Sequence, residues 1–133
     1  MKIPILRYGD TLLCSIQVDL TDEEALEFQS DVLQMAKKTD AKGAVIDITA
    51  LDVVDSFMAR VLNDTAEMVR LMGSEVVVCG IQPSVALTLT EMGRGLIGVD
   101  TALNLEQGMN KLQQLIAVRD GAATPDEGAD SDG

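Results

Sequence analysis

Apolar and polar positions change period along the chain, and each change marks an element. "IPILRY" and "TLLCSIQ" are short runs of β-type residues parted by Gly9-Asp10. Glycine reaches positive φ without strain, so that pair suits a tight hairpin. Pro4 has no amide donor and predicts an edge position for the first strand. In "TDEEALEFQSDVLQMAKK" the period lengthens to that of a helix, with Ala25, Phe28, Val32 and Ala36 on one face and Leu26 and Leu33 in support. Thr21 and Glu24 have the spacing of a capping box, which fixes where that helix starts.

"GAVIDIT" and "EVVVCGI" are nearly continuous apolar runs, the pattern of strands covered on both faces. Between them Met58, Val61, Leu62, Thr65, Met68, Val69 and Met72 form one helical stripe, while Arg60, Asp64, Glu67 and Arg70 fall largely on the other side. Methionines at helical spacing are more often core than partner surface, so this stripe reads as core. Gly73 is placed to stop the helix. Pro83 suits the first turn of a helix over "PSVALTLTEM", a short strand is predicted near Ile97 to Val99, and Asn104 caps a last helix with Leu105, Met109, Leu112 and Ile116 inward. The order predicts an α/β fold: a mostly parallel sheet with an antiparallel first strand, packed against about four helices.

Length and composition narrow the function. The 133 residues suffice for one domain with one core. A formal charge of −12, with basic residues scattered except for Lys37-Lys38, argues against a nucleic-acid surface. No apolar run approaches the roughly 20 residues of a membrane span, and "MKIPILRYGD" lacks the features of a signal peptide, so a cytoplasmic protein is expected. The cysteines, Cys14 and Cys79, sit in separate apolar runs without C-x-x-C spacing and read as buried thiols. There is no histidine, which removes Ser-His and Cys-His catalysis and the imidazole metal ligand. The acids form no recognisable calcium loop, so neither metal nor cofactor is expected. After Arg119, "DGAATPDEGADSDG" has five acids and no large apolar residue. Residues 1–118 are therefore expected to form the domain and 119–133 a disordered acidic tail.

Two motif matches fail on context. "GRGLIG", Gly93 to Gly98, fits G-x-G-x-x-G but follows a helix late in the domain instead of joining a first strand to its helix. "NDT" at Asn63 fits a glycosylation acceptor but lies in a predicted helix.

Ser56, in "VVDSFMARVL", is the residue with the most chemistry open to it. A serine at a helix start is most often a cap accepting a backbone N–H. A hydrolase nucleophile would need a G-x-S-x-G elbow and a base, and neither is present. An acyl-carrier serine stands in a similar Asp-Ser setting, but those carriers are all-helical. A regulatory phosphoserine remains: free N–H donors and the positive dipole end of a helix accommodate a phosphate, while Asp55 beside it keeps the surface negative.

"GAVIDITALDVVDSF", "VVVCGIQPSVALTLTEMG" and "TALNLEQGMNKL" together resemble STAS domains of the anti-sigma-factor-antagonist type, and among them the small scaffold antagonists of stressosomes. The resemblance runs from Lys2 to about Leu115, with "IPIL", "SIQ", "DSF" and "GIQP" in the family's order. It implies the STAS fold, no catalytic activity, and phosphorylation of Ser56 by a partner-switching GHKL-type serine kinase that the unmodified protein sequesters. It also implies a serine phosphatase, self-association, and co-assembly with a larger STAS-containing sensor paralogue. Asp55, Phe57 and Arg60, near Ser56 on the same helix turn, are the candidate kinase contacts. A direct antagonist of an anti-sigma factor is the alternative function, and an acyl-carrier-like protein a more distant one.

Overall fold

Gly9, at φ 65°, turns the chain between β1 (Ile5–Tyr8) and β2 (Thr11–Ser15), which pair antiparallel with Ile5 opposite Cys14 and Tyr8 opposite Thr11. The structure, a computed structural model, describes residues 3–91, 96 and 99–121. After the hairpin come α1 (Asp22–Thr39), β3 (Gly43–Asp47), α2 (Ser56–Leu71), β4 (Glu75–Cys79), α3 (Pro83–Glu91), β5 (Asp100–Ala102) and α4 (Leu105–Arg119). The strands lie in sequence order from β1 to β5, every pair after the first being parallel.

Successive parallel steps in one direction, each through a right-handed crossover, put the connecting helices on one face of a sheet. α1, α2 and α3 accordingly pack side by side there, over Leu12, Cys14, Ile16, Ile46 and Val78. α4 crosses the opposite face and buries Leu112 and Ile116 on Val45, Val77 and Cys79. β3, covered on both sides, is buried along its whole length, which is why its sequence shows no polar alternation. α4 spans β3 to β5. Leu6 and Tyr8 on the β1 edge remain exposed.

The helix ends follow the sequence signals. In the capping box the Glu24 N–H donates to Thr21 Oγ1 at 3.1 Å and the Thr21 N–H to Glu24 Oε1 at 2.9 Å. Asn104 Oδ1 accepts the Gln107 N–H at 2.9 Å, and Pro83 opens α3. Gly73, at φ 102°, ends α2 with its N–H on the Arg70 carbonyl at 2.9 Å.

Three expectations are corrected. β5 lies at Asp100–Ala102, set by the register of Val77 with Asp100, so backbone pairing and not hydrophobicity defines it. Val99 packs into the larger core instead, and Ile97 and Gly98 lie outside the described residues. Leu26 is exposed, because α1 presents Ala25, Phe28, Val32 and Ala36 to the core. Met68 and Met72 of the α2 stripe are also exposed. Met68 sits about 100° round the helix from the buried Val69, and Met72 lies just past the last helical residue.

Arg119 Nη1 donates to the Lys42 carbonyl at 3.0 Å, and Lys42 Nζ pairs with Asp120 Oδ2 at 2.7 Å. Nearly all of the acidic segment beyond Arg119, and "GRGLIG" apart from Leu96, fall outside the described residues. No helix among the described residues is long and apolar enough to cross a membrane, and no group of three potential metal-ligating side chains occurs among them.

Candidate functional site

The loops that leave the carboxyl ends of β2, β3 and β4 share one end of the sheet, the end where open α/β sheets place their binding sites. Residues 48–55 join β3 to α2. Ile48, Leu51 and Val54 are buried at intervals of three, while Thr49, Ala50, Asp52 and Val53 between them and Asp55 after them are exposed. Three apolar pegs thus hold the inner side of the loop, and its outer side faces solvent.

Asp55 is the N-cap of α2. Its backbone is extended (φ −83°, ψ 176°), its Oδ1 accepts the Met58 N–H at 2.8 Å, and its carbonyl accepts the Ala59 N–H at 2.9 Å. Ser56 is therefore not the cap. It is the first helical residue, because the extended conformation a cap requires is held one residue earlier. With capping assigned to Asp55, the Ser56 side chain is exposed, and among the described residues nothing holds its hydroxyl by a hydrogen bond. The first turn of α2 contains no acidic residue, and the Asp55 carboxylate at the N-cap offsets the positive end of the helix.

Of the other candidate contacts, Asp55 and Arg60 are exposed, and Phe57 is half-buried against the larger core. Arg60 stands one turn after Ser56, a spacing that puts the two on the same side of a helix. Val53, 74% exposed, is a site feature that the sequence pattern concealed, since two adjacent β-branched residues, Val53 and Val54, show no sign of which one faces solvent. It lines a surface hollow of about 190 Å³ with Asp19, Leu20, Leu51, Asp55 and Met58.

The next crossover supports the loop from outside. Gln82 Nε2 donates to the Thr49 carbonyl at 2.7 Å, and Ser84 Oγ donates to the Asp52 carbonyl at 2.5 Å. Thr49 is also tied to Asp47, whose Oδ1 accepts its N–H at 3.0 Å and its hydroxyl at 2.5 Å. Sequence reasoning saw Gln82-Pro83 only as a helix opening; the partners lie 33 and 32 residues away, and no local pattern links them.

A hydroxyl offered at a helix start, on a loop pegged inside and bonded outside, can accept a group from a docked enzyme. Among the described residues nothing is arranged to activate that hydroxyl within the chain. The sheet also excludes the all-helical acyl-carrier fold.

The STAS domain family matches residues 2–105, and the chain belongs to that family. It resembles RsbS within it. RsbS of Moorella thermoacetica, in a form with a serine-to-glutamate substitution, has 43% identity to it and a TM-score of 0.78, over 86% of this chain and 97% of that one. A chain from the stressosome, a signal integration and transduction hub, has 45% identity and a TM-score of 0.75, over 84% of this chain and 97% of that one. The RsbT co-antagonist protein RsbRA of Bacillus subtilis (strain 168) is 32% identical over 87 residues, 65% of this chain. The match takes in only 32% of RsbRA, so the chain spans about a third of that relative's length.

Proposed function

We propose that this chain is a phosphorylation-switched scaffold of a bacterial stressosome, which sequesters a partner-switching serine kinase of the GHKL, RsbT type until Ser56 is phosphorylated. The observation that carries this reading is the exposed, unbonded hydroxyl of Ser56 at the start of α2, in a chain that shares 43% and 45% identity with RsbS and a stressosome chain. Asp55, Phe57 and Arg60 flank the hydroxyl and form the first contacts with the kinase. Phosphorylation adds about −1.5 to −2 charge. At a desolvated interface an unmatched charge costs several kcal/mol, enough to shift a partner equilibrium by orders of magnitude.

The same reading includes co-assembly with a larger RsbR-type STAS paralogue, a serine phosphatase that resets Ser56, self-association, and a cytoplasmic location. The exposed Leu6 and Tyr8 supply apolar surface for self-association. Residues 1–118 act as the STAS domain and 119–133 as an acidic tail whose first two residues, Arg119 and Asp120, still bond to Lys42 of the domain.

The test is incubation with a purified RsbT-type kinase and ATP, followed by mass spectrometry. One phosphate on Ser56, none on Ser56→Ala, and release of the kinase on modification are expected. Incorporation into Ser56→Ala at the wild-type level would remove Ser56 from the switch, and capture of an anti-sigma factor without any kinase would favour direct antagonism.

A further inference from the structure

The loop that carries Ser56 is held by two kinds of contact with different consequences. Ile48, Leu51 and Val54 are buried and belong to the core, so they cannot be altered without loss of stability. Gln82 and Ser84 reach from the start of α3 to the outward carbonyls of Thr49 and Asp52, where water can replace them. Gly80 keeps the two loops together. It has φ 77°, and a Cβ there would stand 2.0 Å from Thr49 Oγ1 and 2.9 Å from Thr49 Cα, so only glycine permits this approach. The Ile48 N–H also donates to the Cys79 carbonyl at 3.0 Å, which leaves the β3–α2 and β4–α3 loops joined at successive points.

The geometry points to Gln82 and Ser84 as positioning residues that hold segment 49–55 in the conformation a kinase must recognise to reach Ser56. This rests on the reading of Ser56 as the phosphoacceptor. Neither side chain touches the hydroxyl. Each instead restricts the backbone that leads to it, Ser84 three residues before the N-cap and Gln82 six before. Without them the competent conformation is populated for only a fraction of the time. A substrate in that condition shows an apparent affinity reduced by the same fraction, while turnover of the bound complex is unchanged. The expected signature is a raised KM with an unaltered kcat.

The experiment uses the full chain with a purified RsbT-type kinase and ATP, comparing wild type, Gln82→Glu/Ser84→Ala, Ser84→Thr and Ser56→Ala. Gln82→Glu keeps the shape but has no donor for the Thr49 carbonyl, and Ser84→Thr keeps the hydroxyl. The double variant is expected to raise KM about tenfold with kcat within about twofold, and Ser84→Thr to behave as wild type. Without any kinase, exchange of the Leu51 amide, which donates to the Ile48 carbonyl at 3.0 Å, should quicken about tenfold in the double variant alone. Wild-type KM and exchange in the double variant, while Ser56→Ala takes up no phosphate, would overturn the positioning role and leave the phosphoacceptor standing. Loss of kcat in step with a lowered melting temperature would overturn it too, because that marks a smaller folded fraction. If Ser56→Ala is phosphorylated like wild type, the phosphoacceptor reading fails, and Leu51 exchange then decides the clamp alone: unchanged exchange overturns it.

Discussion

Gly108 lets α4 lie directly on Cys79: a Cβ added at Gly108 would stand 3.2 Å from the Cys79 Cβ, 3.3 Å from its Sγ and 3.6 Å from Val45 Cγ1. Glycine inside a helix costs roughly 1 kcal/mol against alanine. Here the close approach of helix to sheet explains why it stands in that position. Gly108→Ala sets a helix-propensity gain against a crowded methyl, and the two are expected to leave stability within about 1 kcal/mol of wild type. Gly108→Val adds bulk that the buried strand cannot yield to, and should cost about 1–3 kcal/mol by urea titration. A neutral Gly108→Val would mean that α4 sits farther from β4 than the structure has it.

Leu112, one turn further on, is fully buried, and its methyls lie 2.7 and 3.1 Å from where a Cβ on Gly43 would be. Glycine in β3 and leucine in α4 are therefore complementary in size. Leu112→Ala is expected to cost about 2–4 kcal/mol, the range for a leucine truncated in a close-packed core. Chemical denaturation measures this directly. A loss below ~0.5 kcal/mol would place Leu112 outside the core.

How much was legible in the sequence depended on whether a signal was local. Thr21 with Glu24, Asn104 with Gln107, Gly9 and Gly73 each act within a few residues, and each stands where its spacing said. β5 was misplaced because the Asp-Thr-Ala strand has no apolar pattern and exists through pairing with β4. Leu26, Met68 and Met72 were counted inward because a period marks a stripe but not how much of it the neighbours cover. At the site, residue type alone suggests Ser56 as the cap, and only the extended backbone of Asp55 gives that place to the residue before it. The family resemblance singled out Ser56, whereas the bonds from Gln82 and Ser84 cross more than thirty residues and required the fold.

Burial pushes the Cys14 thiol up from 9.0 to about 12. Cys79 rises likewise to about 12, mainly through burial, with the negative charge and hydrogen bonding of Asp47 adding to it. Between those values the folded protein retains protons that the unfolded chain releases, so stability falls as pH rises. The contribution of both thiols is complete below pH 9 and is lost as pH climbs towards 12. Denaturation midpoints across this window should decline more steeply for wild type than for Cys14→Ala/Cys79→Ala. A thiol reagent at pH 8 should label neither cysteine in the folded protein and both in denaturant. Equal slopes for the two proteins would show that the thiols are not held protonated by the fold.

The division of labour between Asp55 and Ser56 makes the last prediction. Asp55 satisfies the Met58 amide at 2.8 Å, while the exposed Ser56 hydroxyl makes no hydrogen bond among the described residues. Removing a cap costs about 0.5–2 kcal/mol, and replacing an exposed residue without partners is usually within ~0.5 kcal/mol. Asp55→Ala should therefore lower stability by the first amount and Ser56→Ala by no more than the second. Asp55→Asn, which keeps an acceptor for the Met58 N–H but loses the charge at the positive helix end, should fall between wild type and Asp55→Ala. Ser56→Asp places a carboxylate at the helix start, where the dipole favours it, and should remain folded, so any change in kinase binding reflects the surface and not the domain. Urea titrations of the four variants, with circular dichroism as the check on folding, decide the matter. If Ser56→Ala proves as costly as Asp55→Ala, the serine hydroxyl is structural after all, and effects of its substitution on kinase binding cease to be evidence for a switch.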